Sequence, residues 1–194
     1  MGLETPKYTV LYSDGEVEYR QYEPYLVSET IVETNSGYSD AGSEGFRRLF
    51  NYISGGNTSR AKIAMTAPVE RAPSGAKIAM TAPVERQETP AGWRVTFMLP
   101  AEYTLDTAPV PTDARVRIRE VRGRLMAVLR YSGRWTEQNV ATRTKQLLTA
   151  IADESLESIG DVVSAAYDPP FMPPFMRRNE VMVEVSRLPR AART

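Results

Sequence analysis

Apolar and polar residues alternate with period two along much of the chain, and the period changes to that of a helix in two places. Residues 8–12 (YTVLY), 16–22 (EVEYRQY) and 25–34 (YLVSETIVET) are rich in Tyr, Val and Ile. Asp14-Gly15 between the first two is a hairpin-turn signal, and Glu23-Pro24 interrupts the next pair. This predicts two or three strands. Over 41–54, Phe46, Leu49, Phe50 and Ile53 fall at i, i+3, i+4 and i+7, one face of a helix. Ser39 or Asp40 can cap its start and Gly55-Gly56 ends it.

An exact repeat follows. AKIAMTAPVER occupies 61–71 and again 76–86, separated by the turn-forming Ala72-Pro73-Ser74-Gly75. In each copy Ile, Met, Ala and Val alternate with Lys, Ala, Thr and Pro, so each reads as a strand with one apolar face. Pro68 and Pro83 push the ends of the copies toward an edge or a bulge. WRVTFML (93–99) alternates cleanly, and the proline-bearing stretch 101–114 reads as a loop between halves. Residues 115–121 and 124–132 flank Gly123 as a second hairpin. Val140, Thr144, Leu147, Leu148 and Ile151 stripe a second helix near 136–153, with Thr136 as its N-cap. VVSAAY (162–167) and EVMVEVS (180–186) are the last strands. The order predicts an α+β fold: two similar β–α–β halves, about 1–100 and 101–194, packed as a single domain with both helices on one curved antiparallel sheet.

Composition narrows the chemistry. The chain has 194 residues, enough for one domain with a sizeable core, and no His or Cys. Disulfides, Cys/His zinc sites, thiolate nucleophiles and His-based triads are therefore excluded. Lys+Arg and Asp+Glu are 24 each, so overall charge does not drive nucleic-acid binding. The balance hides an acidic N-terminal stretch whose counter-charges lie further along the chain, which predicts pairing within one fold. No apolar run reaches the ~20 residues of a membrane span. The start, MGLETPKYTV, shows no signal peptide. The expected location is cytoplasmic, or periplasmic if a leader has been removed. The expected state is a monomer.

The least ordinary segment is YDPPFMPPFMRRNE, 167–180. Pro169-Pro170 and Pro173-Pro174 forbid helix and central strand, yet the loop carries Phe171, Met172, Phe175 and Met176 beside Arg177 and Arg178. A flat apolar ligand packing on Phe and Met, with its carboxylates on arginine, fits that composition, and a tetrapyrrole has this anatomy. A loop folded over the core as a lid, its arginines solvated, fits it too. Tyr22, Tyr25, Tyr52 and Tyr167 are of a type that ligates haem iron, but no spacing singles one out, and Met65 and Met80 read as core fillers. The carboxylates form no acid/base signature. Asn57-Thr58-Ser59 matches a glycosylation sequon.

Several stretches in order, VEYRQYEPYLVSET (17–30), GFRRLFNYISGGN (45–57), KIAMTAPV twice, FMLPAEYTLDTAPVP (97–111) and AAYDPPFMPPFMRRNEV (165–181), resemble the SOUL haem-binding family. The resemblance implies a distorted antiparallel β-barrel of two pseudo-symmetric halves, each with one helix, similar to bacterial effector-binding domains. It implies haem or another porphyrin in an apolar cleft between the first helix and the C-terminal Pro-rich loop. Carried onto this chain, that cleft is Phe46, Arg47 and Phe50 from the helix, and Phe171, Met172, Phe175, Met176 and Arg177 from the loop. Some members place a proposed iron ligand, His, in the Arg-x-Tyr stretch, where this chain has Gln21. The implied role is a tetrapyrrole carrier or buffer without His ligation and with no catalytic residue. A small-molecule hydrolase on the effector-binding-like fold, or a protein-interaction module, is the alternative.

Overall fold

In a computed structural model describing residues 3–33, 37–59 and 75–193, most period-two stretches are strands and both period-3.6 stretches are helices. The elements are β1 (Tyr8–Asp14), β2 (Val17–Tyr22), β3 (Tyr25–Val32), α1 (Tyr38–Ile53), β4 (Asn57–Thr58), β5 (Val84–Thr89) and β6 (Gly92–Met98). They continue with β7 (Val110–Pro111), β8 (Val116–Val121), β9 (Arg124–Tyr131), α2 (Glu137–Asp153), β10 (Ser158–Ala166) and β11 (Asn179–Val185). Nine strands form one antiparallel sheet in the order β1-β2-β9-β11-β10-β5-β6-β3-β8, and β4 pairs with β7. This is an α+β fold with a large antiparallel sheet and two helices. The barrel is a correction: the ladder is open, with β1 and β8 at its edges among the described residues.

The hairpin expected around Gly123 is not there, because non-local pairing wins. Residues 17–30 and 116–129 run antiparallel in one unbroken register, from Val17 opposite Leu129, through Tyr22 opposite Arg124 and Tyr25 opposite Val121, to Thr30 opposite Val116. Glu23-Pro24 and Arg122-Gly123 interrupt the two long segments at the same level, so each segment contributes a strand to both arms of the sheet. Side chains on a strand alternate between faces. On one face α2 buries Leu147 and Ile151 against Val17, Tyr19, Ala127, Leu129, Val181 and Val183. On the same face α1 buries Leu49, Tyr52 and Ile53 against Val95, Phe97 and Leu99. Gly45 lets α1 approach closely, since a Cβ there would overlap the Val95 side chain. The opposite face carries Tyr22, Met126, Val128, Val163, Ala165 and Met182.

One helix matches expectation and the other departs from it in its start and in its buried face. Thr136 caps α2 as expected, accepting a hydrogen bond from Asn139 N at 3.3 Å. α1 starts earlier, at Tyr38, with Gly37 as N-cap and no side-chain cap, because Tyr38 is buried edge-on against Trp93 at 5.2 Å. Its buried face is Tyr38, Ala41, Gly42, Gly45, Leu49, Tyr52 and Ile53, which turns Phe46 and Phe50 onto the surface.

The repeat behaves differently from its pattern. Its first copy lies outside the described residues. In the second, only Val84 onward joins the sheet. Ile78 and Ala82 are buried as the alternation requires, but their amides bond outside any ladder, Ile78 N to Ile53 O at 2.8 Å and Ala82 N to Glu4 O at 2.9 Å. Pro83 has no amide to offer a ladder, and the Ala82-Pro83 bond is cis. The acidic stretch finds partners in the fold, as Glu29 Oε2 accepting from Arg119 at 2.8 Å illustrates.

Candidate functional site

The Pro-rich loop connects β10 to β11, and its base is held by a buried charge network. Tyr167 N donates to Arg178 O at 3.1 Å, and Arg178 N donates to Asp168 Oδ2 at 2.6 Å. Immediately beneath, the fully buried Glu180 carboxylate accepts from Arg20 Nη1 at 3.1 Å, Arg178 Nη2 at 2.7 Å and Tyr167 Oη at 2.7 Å. Arg20 also donates to Glu18 at 2.7 Å and to Tyr22 Oη at 3.1 Å, and lies 4.4 Å from the Tyr8 ring centre. Burial pulls the Arg20 guanidinium down, but Glu180 and Tyr22 more than offset it and leave its pKa raised. No sequence spacing joins Arg20 to Glu180, and only the β2–β9–β11 pairing brings them together.

Above this base the apolar side chains turn outward. Phe171 is 87% exposed, Phe175 77% and Met176 60%. Met172 is half-buried. A lid over the core is thereby ruled out. Arg177 does not face solvent freely: its Nε donates to Met172 O at 2.7 Å and its Nη2 to Pro170 O, so it staples the loop to itself. A short 3-10 turn at Pro174–Met176 and a hydrogen bond from Gly133 N to Pro174 O at 2.9 Å fix the loop's second half.

The helix contributes a second exposed apolar patch. Phe46 and Phe50 stack at 5.8 Å, and Phe46 meets the buried Phe97 edge-on at 5.2 Å. Arg47 beside them is bonded to Glu44 at the surface. The two groups sit at the same end of the sheet. Phe97 is opposite Val84, and Val84 is opposite Ala166, the residue before Tyr167. That separates them by two strand spacings, roughly 10 Å at the sheet. The cavity bordering the loop, about 610 Å³, joins Phe175, Met176 and Arg177 to Glu18, Tyr131 and Arg143, and includes no α1 residue.

Iron ligands are not gathered here. Gln21, at the position where some relatives have His, is opposite Leu125 and donates to Tyr22 O at 3.2 Å. Leu125 is six β-residues from Tyr131, which pairs with Asn179 at the loop base, so Gln21 is roughly 20 Å from that base along the sheet. Burial first, then Glu180, pushes the Tyr22 phenol up to about 12. Burial and Glu85 raise Tyr25, and burial and Glu180 raise Tyr167. Tyr52 Oη donates to Pro109 O at 2.8 Å. Tyr22, Tyr25 and Tyr167 are therefore held as phenols, and Tyr52 spends its hydroxyl on Pro109. Met98, Met126 and Met182 are buried, Met80 packs on the α1 core, and Met65 lies outside the described residues. Among the described residues, no three of His, Cys, Asp and Glu form a metal-binding group, and no helix is long and apolar enough to cross a membrane. Asn57 is buried, its Nδ2 donating to Tyr52 O at 2.7 Å and Ala76 O at 2.8 Å, so the sequon is not presented for modification.

The fold and this paired apolar surface define a class: an open antiparallel sheet carrying two helices on one face. In solved structures the same arrangement occurs in a hydrolase from Listeria innocua, with a TM-score of 0.54 at 12% identity over 88% of this chain and 92% of that one. The C-terminal domain of EcmrR matches with a TM-score of 0.58 at 9% identity over 89% of this chain and 98% of that one. At these identities the likeness is one of fold alone. The family is fixed by sequence. The SOUL heme-binding protein model matches residues 3–184, and the chain belongs to that family. Heme-binding protein 1 of Xenopus laevis is 28% identical over 164 residues, 84% of this chain and 80% of that protein. Heme-binding protein 1 of Mus musculus is 29% identical over 153 residues, 78% of this chain and 75% of that protein.

Proposed function

We propose that this protein binds haem as a carrier or buffer, by packing the ring against protein rather than by ligating the iron through His. The observation that carries the reading is the outward display of Phe171, Phe175 and Met176 on a loop whose base is locked by buried charge. Exposed apolar side chains are ordinarily scattered, and a contiguous set on a braced loop marks a binding surface. Phe46 and Phe50 supply a second stacking surface at the same end of the sheet. Arg47, exposed and paired with Glu44 beside these rings, would exchange that partner for a propionate, and Arg177 shapes the loop. Met172 and Met176 offer polarizable contacts to the ring. The residues fit a porphyrin ring and do not supply a strong fifth ligand. Bound haem would bring its own redox chemistry, and the chain's part is to hold the ring and release it.

The test is a titration of the purified protein with haemin and with a metal-free porphyrin. Similar affinities are expected, together with a ferric spectrum that is five-coordinate or aquo. A low-spin six-coordinate spectrum lost on mutating one Tyr or Met overturns the ring-packing mode. Phe171 exposure also supports a protein contact. That second reading takes over if neither porphyrin binds.

A further inference from the structure

We propose that the groove between the two helices is a second binding site, distinct from the haem surface, for a flat monocarboxylate whose carboxylate is received by Arg86. Arg86 is on β5 at the centre of the helix-covered face, opposite Ser164. Its guanidinium lies 3.9 Å from the Trp135 ring centre and 4.9 Å from that of Tyr38. Gly42 of α1 makes room for it, since a Cβ there would overlap the guanidinium itself. The group is thus clamped flat between two aromatic rings and the backbone of a helix.

Among the described residues it has no counter-charge. It donates a long hydrogen bond to Tyr38 O at 3.5 Å. Its Nε is buried with no acceptor among the described residues, and so is Trp135 Nε1. Burial lowers its pKa, which Tyr38 opposes only in part. Arg is the side chain whose planar fork matches a carboxylate, and orphaned buried donors are costly until something accepts from them.

The groove beside Arg86 has a volume of about 620 Å³, within the range of small-molecule sites. Tyr38 and Trp93 wall one side, and Val140, Ala141 and Thr144 of α2 wall the other. Those walls call for a flat apolar body. The rim carries Glu88, Glu137 and Asp161, all exposed. Three rim carboxylates repel a second negative charge, so a monoanion is selected over a dianion. Haem, with two propionates, is the wrong charge type for this groove.

The experiment uses 2-naphthoate as probe, with 2-naphthamide and naphthalene-2,6-dicarboxylate as controls. Trp93 and Trp135 are the chain's only tryptophans and both flank the groove, so tryptophan fluorescence reports occupancy, with calorimetry alongside. Saturable binding of 2-naphthoate is expected, about tenfold or more tighter than the amide. The dicarboxylate should bind more weakly than 2-naphthoate, with a gap that narrows as salt screens the rim. Arg86→Met should lose the preference for the acid over the amide. Ala141→Phe, on an exposed position of α2, should fill the groove and abolish binding, which keeps the test open if Arg86→Met fails to fold. Equal affinity for acid and amide, unchanged binding in Ala141→Phe, or stoichiometric displacement of the probe by haemin overturns the proposal.

Discussion

Two arginines, Arg20 buried and Arg86 half-buried, sit on opposite faces of the same sheet and have opposite electrostatic fates. Arg20 is 2% exposed, its Nε bonded to Glu18 and its Nη1 to Glu180 and Tyr22. Arg86 is packed between aromatic rings with no carboxylate at ion-pair distance among the described residues. Burial pulls both guanidiniums toward the neutral form, and Glu180 reverses that pull for Arg20 while nothing comparable does so for Arg86. The difference separates a structural charge from a receptive one. A desolvated cation paired with a buried carboxylate braces the fold, whereas one with orphaned donors stores recognition for a ligand.

The largest effect is expected where the paired charge is broken. Glu180→Gln leaves the buried Arg20 and the half-buried Arg178 without their shared carboxylate and should cost about 3–5 kcal/mol of stability. Denaturant unfolding measures it. A loss below about 1 kcal/mol would erase the distinction between the two arginines. The loop rooted in this network supplies the next largest effect. Phe171→Ala with Phe175→Ala should leave unfolding unchanged to within about 0.5 kcal/mol, because both rings face solvent. The same double variant should weaken haemin about thirtyfold, since each of the two rings contributes on the order of 1 kcal/mol of packing. Unchanged haemin affinity removes the loop from the site.

Arg86→Met sharpens the contrast from the other side. It orphans no carboxylate and should lower stability of the ligand-free protein by no more than about 1 kcal/mol, the loss being the ring contacts. A loss comparable with that of Glu180→Gln would mean that Arg86 is structural as well. The smallest effect concerns Glu85, on Arg20's face of the sheet, whose carboxyl accepts from Thr96 at 3.1 Å and Tyr25 at 3.4 Å. Burial raises its pKa, with Arg124 opposing. A raised carboxyl favours folding at low pH, and that contribution is lost as pH climbs from the ordinary carboxyl range through the raised value. Glu85→Gln should flatten the dependence of stability on pH over that window. An unchanged slope would show that Glu85 stays charged.

Local apolar periodicity in the sequence set most of the strands and both helices, because it is a property each segment expresses wherever it packs, and it failed where Pro83 broke the ladder of the repeat. The Asp14-Gly15 turn, the Thr136 cap and the buried Leu147 and Ile151 follow from neighbours within a few residues. The Phe/Met loop was legible too, as a composition that no ordinary loop carries. Tertiary structure alone decided partners. Residues 116–121 and 124–131 look like a hairpin but pair with 25–30 and 17–22, because burying two long segments against each other outweighs a tight turn. In α1 the apolar spacing marks the helix, but only Leu49 and Ile53 of the stripe are buried, because Tyr38 against Trp93 sets the phase and turns Phe46 and Phe50 outward. Arg20 meets Glu180 across 160 positions of sequence, and Arg86 meets Trp135 and Gly42 from three different elements. Burial, pairing and the absence of pairing are relations between distant residues, and no local pattern encodes them.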